Sequence, residues 1–240
     1  MYNLRKTLLI STVCAFTLFA SSQGLASPSY IDMGDVTSVK GDVLAKSNAT
    51  ERRLKGKDDL FEGETIVTGD KSSLIAKLSD DGLLQVPANS RLELKKFLLK
   101  SDKPLGELKL VRGAFRLTSG KLNKLPDGKL TISTPMATLG IRGTDFYVNQ
   151  QDDELTLSLI DNGEIFVTDI NGDFFALNEP MTTIVIREGQ EMVKRKFTQS
   201  ELDKITKSLD TTQNNLFAYF LLIIIAGYII LTTTVFNRKE

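Results

Sequence analysis

Histidine and tryptophan are absent from the 240 residues, and cysteine occurs once, as Cys14. Without histidine and with no cysteine after residue 14, neither the Ser-His-Asp nor the Cys-His mechanism can be assembled. Zinc loses its usual ligands for the same reason, and only carboxylates remain. The sequence therefore predicts no catalytic residue, no metal site and no cofactor, and we expect a protein that is not an enzyme.

An excess of either charge is also missing, since 30 basic residues balance 30 acidic ones. This balance disfavours nucleic acid as a partner, because binding the phosphate backbone needs a basic face. Acidic clusters at residues 80–81 and 152–154 are candidates for a glycosidase-type carboxylate pair, but adjacent turn signals favour solvated loops. The stretch "DINGD" (Asp169–Asp173) contains part of a calcium-loop pattern, although Asn-Gly between apolar runs favours a hairpin turn.

Residues 1–26 have the pattern of a cleavable signal peptide. Arg5 and Lys6 precede an apolar stretch that ends near Ala20, and small residues follow in "SSQGLA". The apolar stretch is shorter than the roughly 20 residues that a bilayer span requires. We predict export with cleavage after Ala26, which removes Cys14 and leaves a mature chain without disulfides.

Near the other end, "LFAYFLLIIIAGYIILTTTVF" (residues 216–236) carries no charge. As a helix, this segment is about 31 Å long, enough to cross the hydrocarbon core. Arg238 and Lys239 follow it, and basic flanks remain in the cytoplasm. We therefore expect a single-pass protein of the inner (cytoplasmic) membrane, with residues 237–240 as a cytoplasmic tail and the preceding domain facing the periplasm.

The pattern of residues 27–196 predicts one all-β domain. In "LTLSLI" (residues 155–160) apolar and polar residues alternate, and glycine-containing turns separate similar short segments along the chain. This alternation is typical of half-buried strands. The intervals between the turns are unequal, so the pattern fits a short-stranded β-solenoid-like domain and a β-sandwich equally well.

Residues 197–215 predict an amphipathic helix and a linker. Thr198 and Glu201 form a capping-box pattern, and Leu202, Ile205 and Leu209 follow at helical spacing. We expect this helix to pack against the domain; lying on the membrane or pairing with a neighbouring helix are the alternatives.

The stretch "ISTPMATLGIRGTDFYV" (residues 132–148) contains the candidate site. Thr134 precedes Pro135 and is therefore biased towards an extended conformation. Gly140 and Gly143 predict a corner, because glycine permits positive φ or a close backbone approach. Arg142 would present five donors there, either to its own domain or to a partner's carboxylate. The candidate partner-binding or signature residues are Thr134, Pro135, Gly140, Arg142, Gly143 and Thr144.

The segment "TPMATLGIRGTDFYV" resembles the core signature of FecR-type domains, the periplasmic part of iron-dicitrate sensor proteins and their relatives. The segments at 34–46, 60–94 and 108–117 are similar to the preceding strands of that family, so the resemblance covers about residues 34–168. It implies a β-rich envelope domain used for protein–protein contact. Family members of the sensor type begin with a cytoplasmic anti-sigma segment; here a signal peptide is expected instead, so the resemblance does not imply regulation of a sigma factor.

The leading hypothesis is therefore a membrane-anchored periplasmic protein that acts as a non-catalytic protein-binding or adaptor module. Its expected partner is an envelope or membrane protein, recognised at an exposed strand edge together with the Arg142 corner. Two alternatives remain open: a periplasmic component of a transmembrane signalling assembly, and a cell-wall or glycan binder.

Overall fold

The computed structural model describes residues 31–48 and 50–209. The predicted signal peptide, membrane span and cytoplasmic tail lie outside these residues. Within them are seventeen β-strands, numbered in chain order, followed by one α-helix. None of the described helices has the length and apolar character of a membrane span. The prediction of a β-rich domain followed by one helix is confirmed for the described part of the chain.

Sheet A is antiparallel throughout, and its strands follow one another from one end of the domain to the other. In spatial order they are β4 (Asp59–Phe61), β1 (Asp32–Lys40), β6 (Ser73–Leu78), β7 (Leu83–Val86), the C-terminal half of β9 (Leu105–Thr118), β12 (Asp145–Gln150), β13 (Glu154–Leu159), β16 (Thr182–Arg187) and β17 (Val193–Lys196).

Sheet B includes the other half of β9, which pairs in parallel with its next neighbour; all other pairs are antiparallel. In spatial order its strands are β3 (Glu51–Arg53), β2 (Val43–Lys46), β5 (Thr65–Thr68), β8 (Arg91–Leu98), the N-terminal half of β9, β10 (Lys129–Ser133), β11 (Ala137–Arg142), β14 (Glu164–Asp169) and β15 (Phe174–Leu177).

Hairpins are nested between the two sheets. The β10–β11 hairpin of sheet B lies between β9 and β12, which pair in sheet A. Likewise the β12–β13 hairpin of sheet A lies between β11 and β14, and the β14–β15 hairpin lies between β13 and β16. The chain therefore alternates between the layers as it advances, so the architecture combines a two-layer sandwich with the stepwise progression of a solenoid.

One continuous core lies between the layers. Alternation along β12 buries Phe146 and Val148 and turns Tyr147 outwards, as the sequence pattern predicts. The Phe146 ring meets Phe115 of β9 edge to face, with centroids 5.9 Å apart. Each fully buried side chain of this size contributes about 1.5–3 kcal/mol. The buried faces of both sheets belong to the same apolar cluster, so each layer is stabilised by the other.

Gly113 is the point at which β9 leaves sheet B and enters sheet A. Its φ is +84°, in the region that favours glycine. A Cβ at this position would lie 2.5 Å from the Ser90 Cα and 2.6 Å from the Asn89 carbonyl oxygen. The next amide, of Ala114, donates to the Ser90 Oγ at 2.9 Å. The passage of β9 between the sheets therefore requires a residue without a side chain.

The helix α1 spans Gln199–Leu209, and its predicted capping box is present. The Thr198 amide donates to the Glu201 carboxylate at 2.8 Å, and the Glu201 amide donates to the Thr198 Oγ1 at 3.3 Å. The first of these bonds, together with Arg195, holds the pKa of Glu201 below its usual value. The Arg116 guanidinium of β9 donates to the Thr206 Oγ1 at 3.3 Å, which connects the helix to sheet A.

We expect Gly113→Ala to lower the free energy of unfolding by about 3 kcal/mol or more, because backbone strain and steric overlap add. Gly172→Ala is the matched control: Gly172 has φ +91°, but a Cβ there would meet nothing within 4 Å. Strain alone should cost that variant about 1 kcal/mol. Denaturant unfolding of both variants measures the difference, and equal losses would contradict a packing role for Gly113.

Candidate functional site

The signature stretch forms β10, the β10–β11 turn, β11 and the beginning of β12. At the turn, the Thr134 Oγ1 accepts hydrogen bonds from the amides of Met136 at 3.2 Å and Ala137 at 3.0 Å. Its backbone amide donates to the Ala137 carbonyl at 2.9 Å. Pro135 is exposed at the tip of this turn. Thr134 therefore stabilises the hairpin of its own domain.

The other end of β11 contains the corner through which the chain passes from sheet B to sheet A. Gly143 has φ +54°, whereas Gly140 lies within β11 without a positive φ. Across the corner is Gly163, where a Cβ would lie 2.5 Å from the Thr144 Cβ. Of the two glycines expected to shape the corner, only Gly143 does so, and its partner in close approach is Gly163.

Thr144 and Asp145 attach this corner to neighbouring strands. The Thr144 amide donates to the Ser119 Oγ at 2.6 Å, and the Thr144 hydroxyl donates to the Asp161 carbonyl at 3.0 Å. Asp145 accepts two hydrogen bonds from the Arg116 guanidinium, at 2.9 and 2.8 Å. The two side chains are only 18% and 16% exposed. The hydrogen bonds to Asp145 raise the pKa of Arg116. Because both side chains are largely buried, this ion pair is a structural contact between β9 and β12.

Arg142 lies on the outer face of sheet B, and its side chain is 76% exposed. Its single ion-pair contact is with Glu164, directly opposite on β14, at 3.4 Å between Nη1 and Oε2. A long contact between solvated groups contributes little to stability. The guanidinium is therefore largely available at the surface, in contrast to that of Arg116.

The six predicted residues do not converge on one place. Thr134 and Pro135 lie at one end of β11, whereas Arg142, Gly143 and Thr144 lie at the other, about 20 Å away at the rise of a β-strand. Gly140 lies between them, beside the Phe166 ring of β14. Thr134 and Thr144 make intradomain contacts, and Arg142 is the member of the set whose polar group faces solvent.

The acidic clusters have structural partners. Asp80 is buried, and its carboxylate accepts hydrogen bonds from the amides of Gly82 at 2.9 Å and Leu122 at 3.1 Å. Asp81 pairs with Lys121 and Lys77, which hold its pKa at about 2. In the second cluster, Glu154 contacts Arg187 at 2.7 Å. The interpretation of Asp80 as a solvated loop residue is wrong, because its carboxylate caps buried amides.

The "DINGD" stretch is a hairpin turn between β14 and β15. The Asp169 carboxylate accepts hydrogen bonds from the amides of Asn171 and Asp173, both at 2.9 Å. Across residues 31–48 and 50–209, no group of three His, Cys, Asp or Glu side chains is arranged to hold a metal ion. The prediction of a hairpin turn at these residues is confirmed by these backbone contacts.

Several residues of this region were not identifiable from the sequence. Arg116, Ser119 and Gly163 complete the corner, yet they are far in sequence from the residues that they contact: 29 residues separate Arg116 from Asp145, and 25 separate Ser119 from Thr144. The one sequence signal was the glycine placed before a strand in "NGEIF", which includes Gly163. No local sequence pattern predicts the Arg116–Asp145 pair or the Ser119–Thr144 pair.

We expect Arg116→Ala to lower the free energy of unfolding by about 1.5–3 kcal/mol, because it leaves the partly buried Asp145 carboxylate without its charged partner. Arg142→Ala is the matched control, and its effect should lie within about 0.5 kcal/mol. Chemical denaturation compares the two. Destabilisation by Arg142→Ala as large as that by Arg116→Ala would make Arg142 architectural and remove it from the surface site.

A family model agrees with the resemblance seen in the sequence. The family model described as FecR protein matches residues 64–165. No curated protein matches the chain. Similar solved structures include two crystal structures, each of a candidate anti-sigma factor from Parabacteroides distasonis ATCC 8503, with TM-scores of 0.48 and 0.47 and sequence identities of 17% and 15%. In each case the match covers 58% of this chain and 62% of the other.

The family match contains the candidate corner. It begins at Glu64, just before β5, and ends at Ile165, just after the Gly163 contact with Thr144. It therefore includes the passage of β9 between the sheets, the Arg116–Asp145 pair and Arg142. The predicted relationship is confirmed for this part of the chain: residues 64–165 match the FecR family model.

Proposed function

We propose that this chain is a non-catalytic protein-binding module of the cell envelope, which binds an extended segment of another envelope protein along the free edge of β15. The observation that supports this most strongly is the uncharged edge of β15. Within the described residues β15 pairs only with β14, so one side of its backbone has no neighbouring strand. An added strand would complete the hydrogen bonding along that side.

The other sheet edges carry charged side chains. Charged residues on an edge strand oppose the addition of a further strand. The edge strand β3 is Glu-Arg-Arg, β17 contains three basic residues, and β4 begins with Asp59. By contrast, β15 has the sequence Phe-Phe-Ala-Leu. Of the four edges, β15 is the one without any charged residue, and it is the most favourable for strand addition.

Exposed apolar side chains surround this edge. Phe174 is 63% exposed, and its ring stacks on that of Phe166 with centroids 6.1 Å apart. Ile170, in the preceding turn, is 64% exposed. Exposed aromatic side chains are frequent anchors of protein interfaces, where they bury a large area with few rotatable bonds. The surface beside β15 is therefore suited to protein contact.

The chemistry of the partner follows from a cavity next to β15. This cavity has a volume of about 620 Å³ and lies between the β14–β15 and β16–β17 turns. Its apolar residues include Met136, Phe175, Ile186 and Met192. Its acidic residues are Asp169, Asp173, Glu188 and Glu191, and they outnumber the one basic residue of the lining, Arg187, which is paired with Glu154. An apolar segment flanked by Lys or Arg would match both the floor and the charge of this cavity.

The module is anchored, in this proposal, in the inner membrane. Residues 1–26 act as a cleavable signal, residues 216–236 span the membrane, and the domain faces the periplasm. The linker between the helix and the span is six residues long and reaches about 20 Å at most, so the FecR domain stays near the membrane.

Site-specific photo-cross-linking tests the binding edge. With a photoreactive amino acid at position 176, on the exposed edge, we expect the anchored protein to cross-link to one envelope protein. Mass spectrometry should locate the bond in an apolar segment with basic flanks. Phe174→Lys, which places a charge on β15, should abolish the cross-link.

The control places the same photoreactive amino acid at Leu83, which is exposed but lies on β7, inside sheet A. Leu83→Lys should leave the cross-link at position 176 intact. The same product from both positions, or a product that joins two copies of this chain, would contradict the proposed partner.

Topology is tested with engineered cysteines, since the predicted mature chain has none. A membrane-impermeant maleimide should label Leu83→Cys in intact spheroplasts but label Asn237→Cys only after lysis. Mass spectrometry should find Ser27 as the mature N-terminus. Labelling of both positions before lysis would refute the predicted membrane anchor.

A further inference from the structure

Two arginines differ from all others in the described part of the chain. Eight arginines fall within residues 31–48 and 50–209, and six of them contact a carboxylate. These ion pairs are Arg52–Glu64, Arg53–Asp42, Arg116–Asp145, Arg142–Glu164, Arg187–Glu154 and Arg195–Glu201. The remaining two are Arg91 and Arg112, for which no carboxylate within the described residues is in ion-pair range.

Arg91 and Arg112 lie directly opposite each other. Arg91 begins β8 and is in register with Arg112 of β9, at a local irregularity in the pairing of these strands. Both side chains are exposed on the outer side of sheet B. Like charges that face each other across a pair of strands lower stability. Every other arginine of the described fold has a carboxylate within ion-pair range, so this pair is an unbalanced concentration of positive charge.

A cavity of about 780 Å³ is lined by both arginines. It lies where β9 passes between the sheets, and no acidic side chain of the described residues lines it. Its other polar residues carry hydrogen-bonding groups, among them Asn149, Gln151 and Tyr147. Burial raises the pKa of Tyr147 to about 12, so its hydroxyl keeps its proton at neutral pH. The lining thus combines two positive charges with neutral polar groups.

We infer that Arg91 and Arg112 form a binding site for an oxyanion, a carboxylate or phosphate group, in the cavity beside the β9 passage. A guanidinium binds such groups with two parallel hydrogen bonds, and two opposed guanidinium groups can hold one anion between them. A bound anion would also remove the repulsion between the two arginines. The inference is independent of the proposed protein-binding function: along sheet B, β15 is four strand spacings from β9, about 19 Å.

The thermal transition of the full chain in detergent tests this site, with inorganic phosphate and malonate as probes at constant ionic strength. At a probe concentration about ten times its dissociation constant, either probe should raise the Tm by about 3–6 °C. A larger shift with phosphate identifies a phosphate site, and a larger shift with malonate identifies a carboxylate site. No shift with either probe would refute the inference.

Substitutions separate specific binding from a general salt effect. Arg91→Gln and Arg112→Gln should each abolish the shift in Tm, whereas Arg53→Gln, which removes a paired and exposed arginine, should retain it. Without ligand, at low salt, the first two variants should be at least as stable as the wild type because the repulsion is relieved. Equal shifts in all variants, or a lower Tm of ligand-free Arg91→Gln, would overturn the assignment.

Discussion

One strand holds the two layers of this protein together. The N-terminal half of β9 pairs with β8 and β10 in sheet B, and its C-terminal half pairs with β7 and β12 in sheet A. The strand changes layer at Gly113, against the backbone of Asn89 and Ser90. Because both sheets bury their inner faces in one shared core, the position of this passage determines how the strands on either side of it can pack.

The signature stretch is mainly an architectural element of this fold. Gly143 turns the chain, Thr144 forms hydrogen bonds with neighbouring loops, and Asp145 forms an ion pair with Arg116 of β9. Arg142 presents its charged side chain to solvent from this segment. The surfaces suited to ligands, β15 with its acidic cavity and the Arg91–Arg112 pair, lie away from the corner. The corner itself is thus separate from the surfaces that would bind partners, although Met136 and Tyr147 of the same stretch line the two cavities.

Local features were predictable from the sequence. The alternation in "LTLSLI" coincides with β13, and the Thr198–Glu201 capping box begins α1 as expected. Whether Gly140 or Gly143 turns the chain depends on where β11 ends, which alternation does not specify. The opposition of Arg91 and Arg112, and the edge position of β15, follow from pairings between distant segments. A single sequence carries no register information of that kind, so a charged or apolar strand cannot be assigned to an edge or an interior.

The nested hairpins have a mechanical consequence. Strand order along the stack follows chain order, so the hairpin β16–β17 is the last element before α1 and closes one end of sheet A. Tension applied at residue 209 acts first on α1 and its Thr206–Arg116 hydrogen bond to β9, and once that bond is broken it reaches the β16–β17 hairpin before any other pair of strands. Four pairs of residues join β16 to β17, and the turn between these strands forms one wall of the acidic cavity. A pull from the C-terminal side would therefore widen or close that cavity while the part of the fold centred on β9 keeps its pairing.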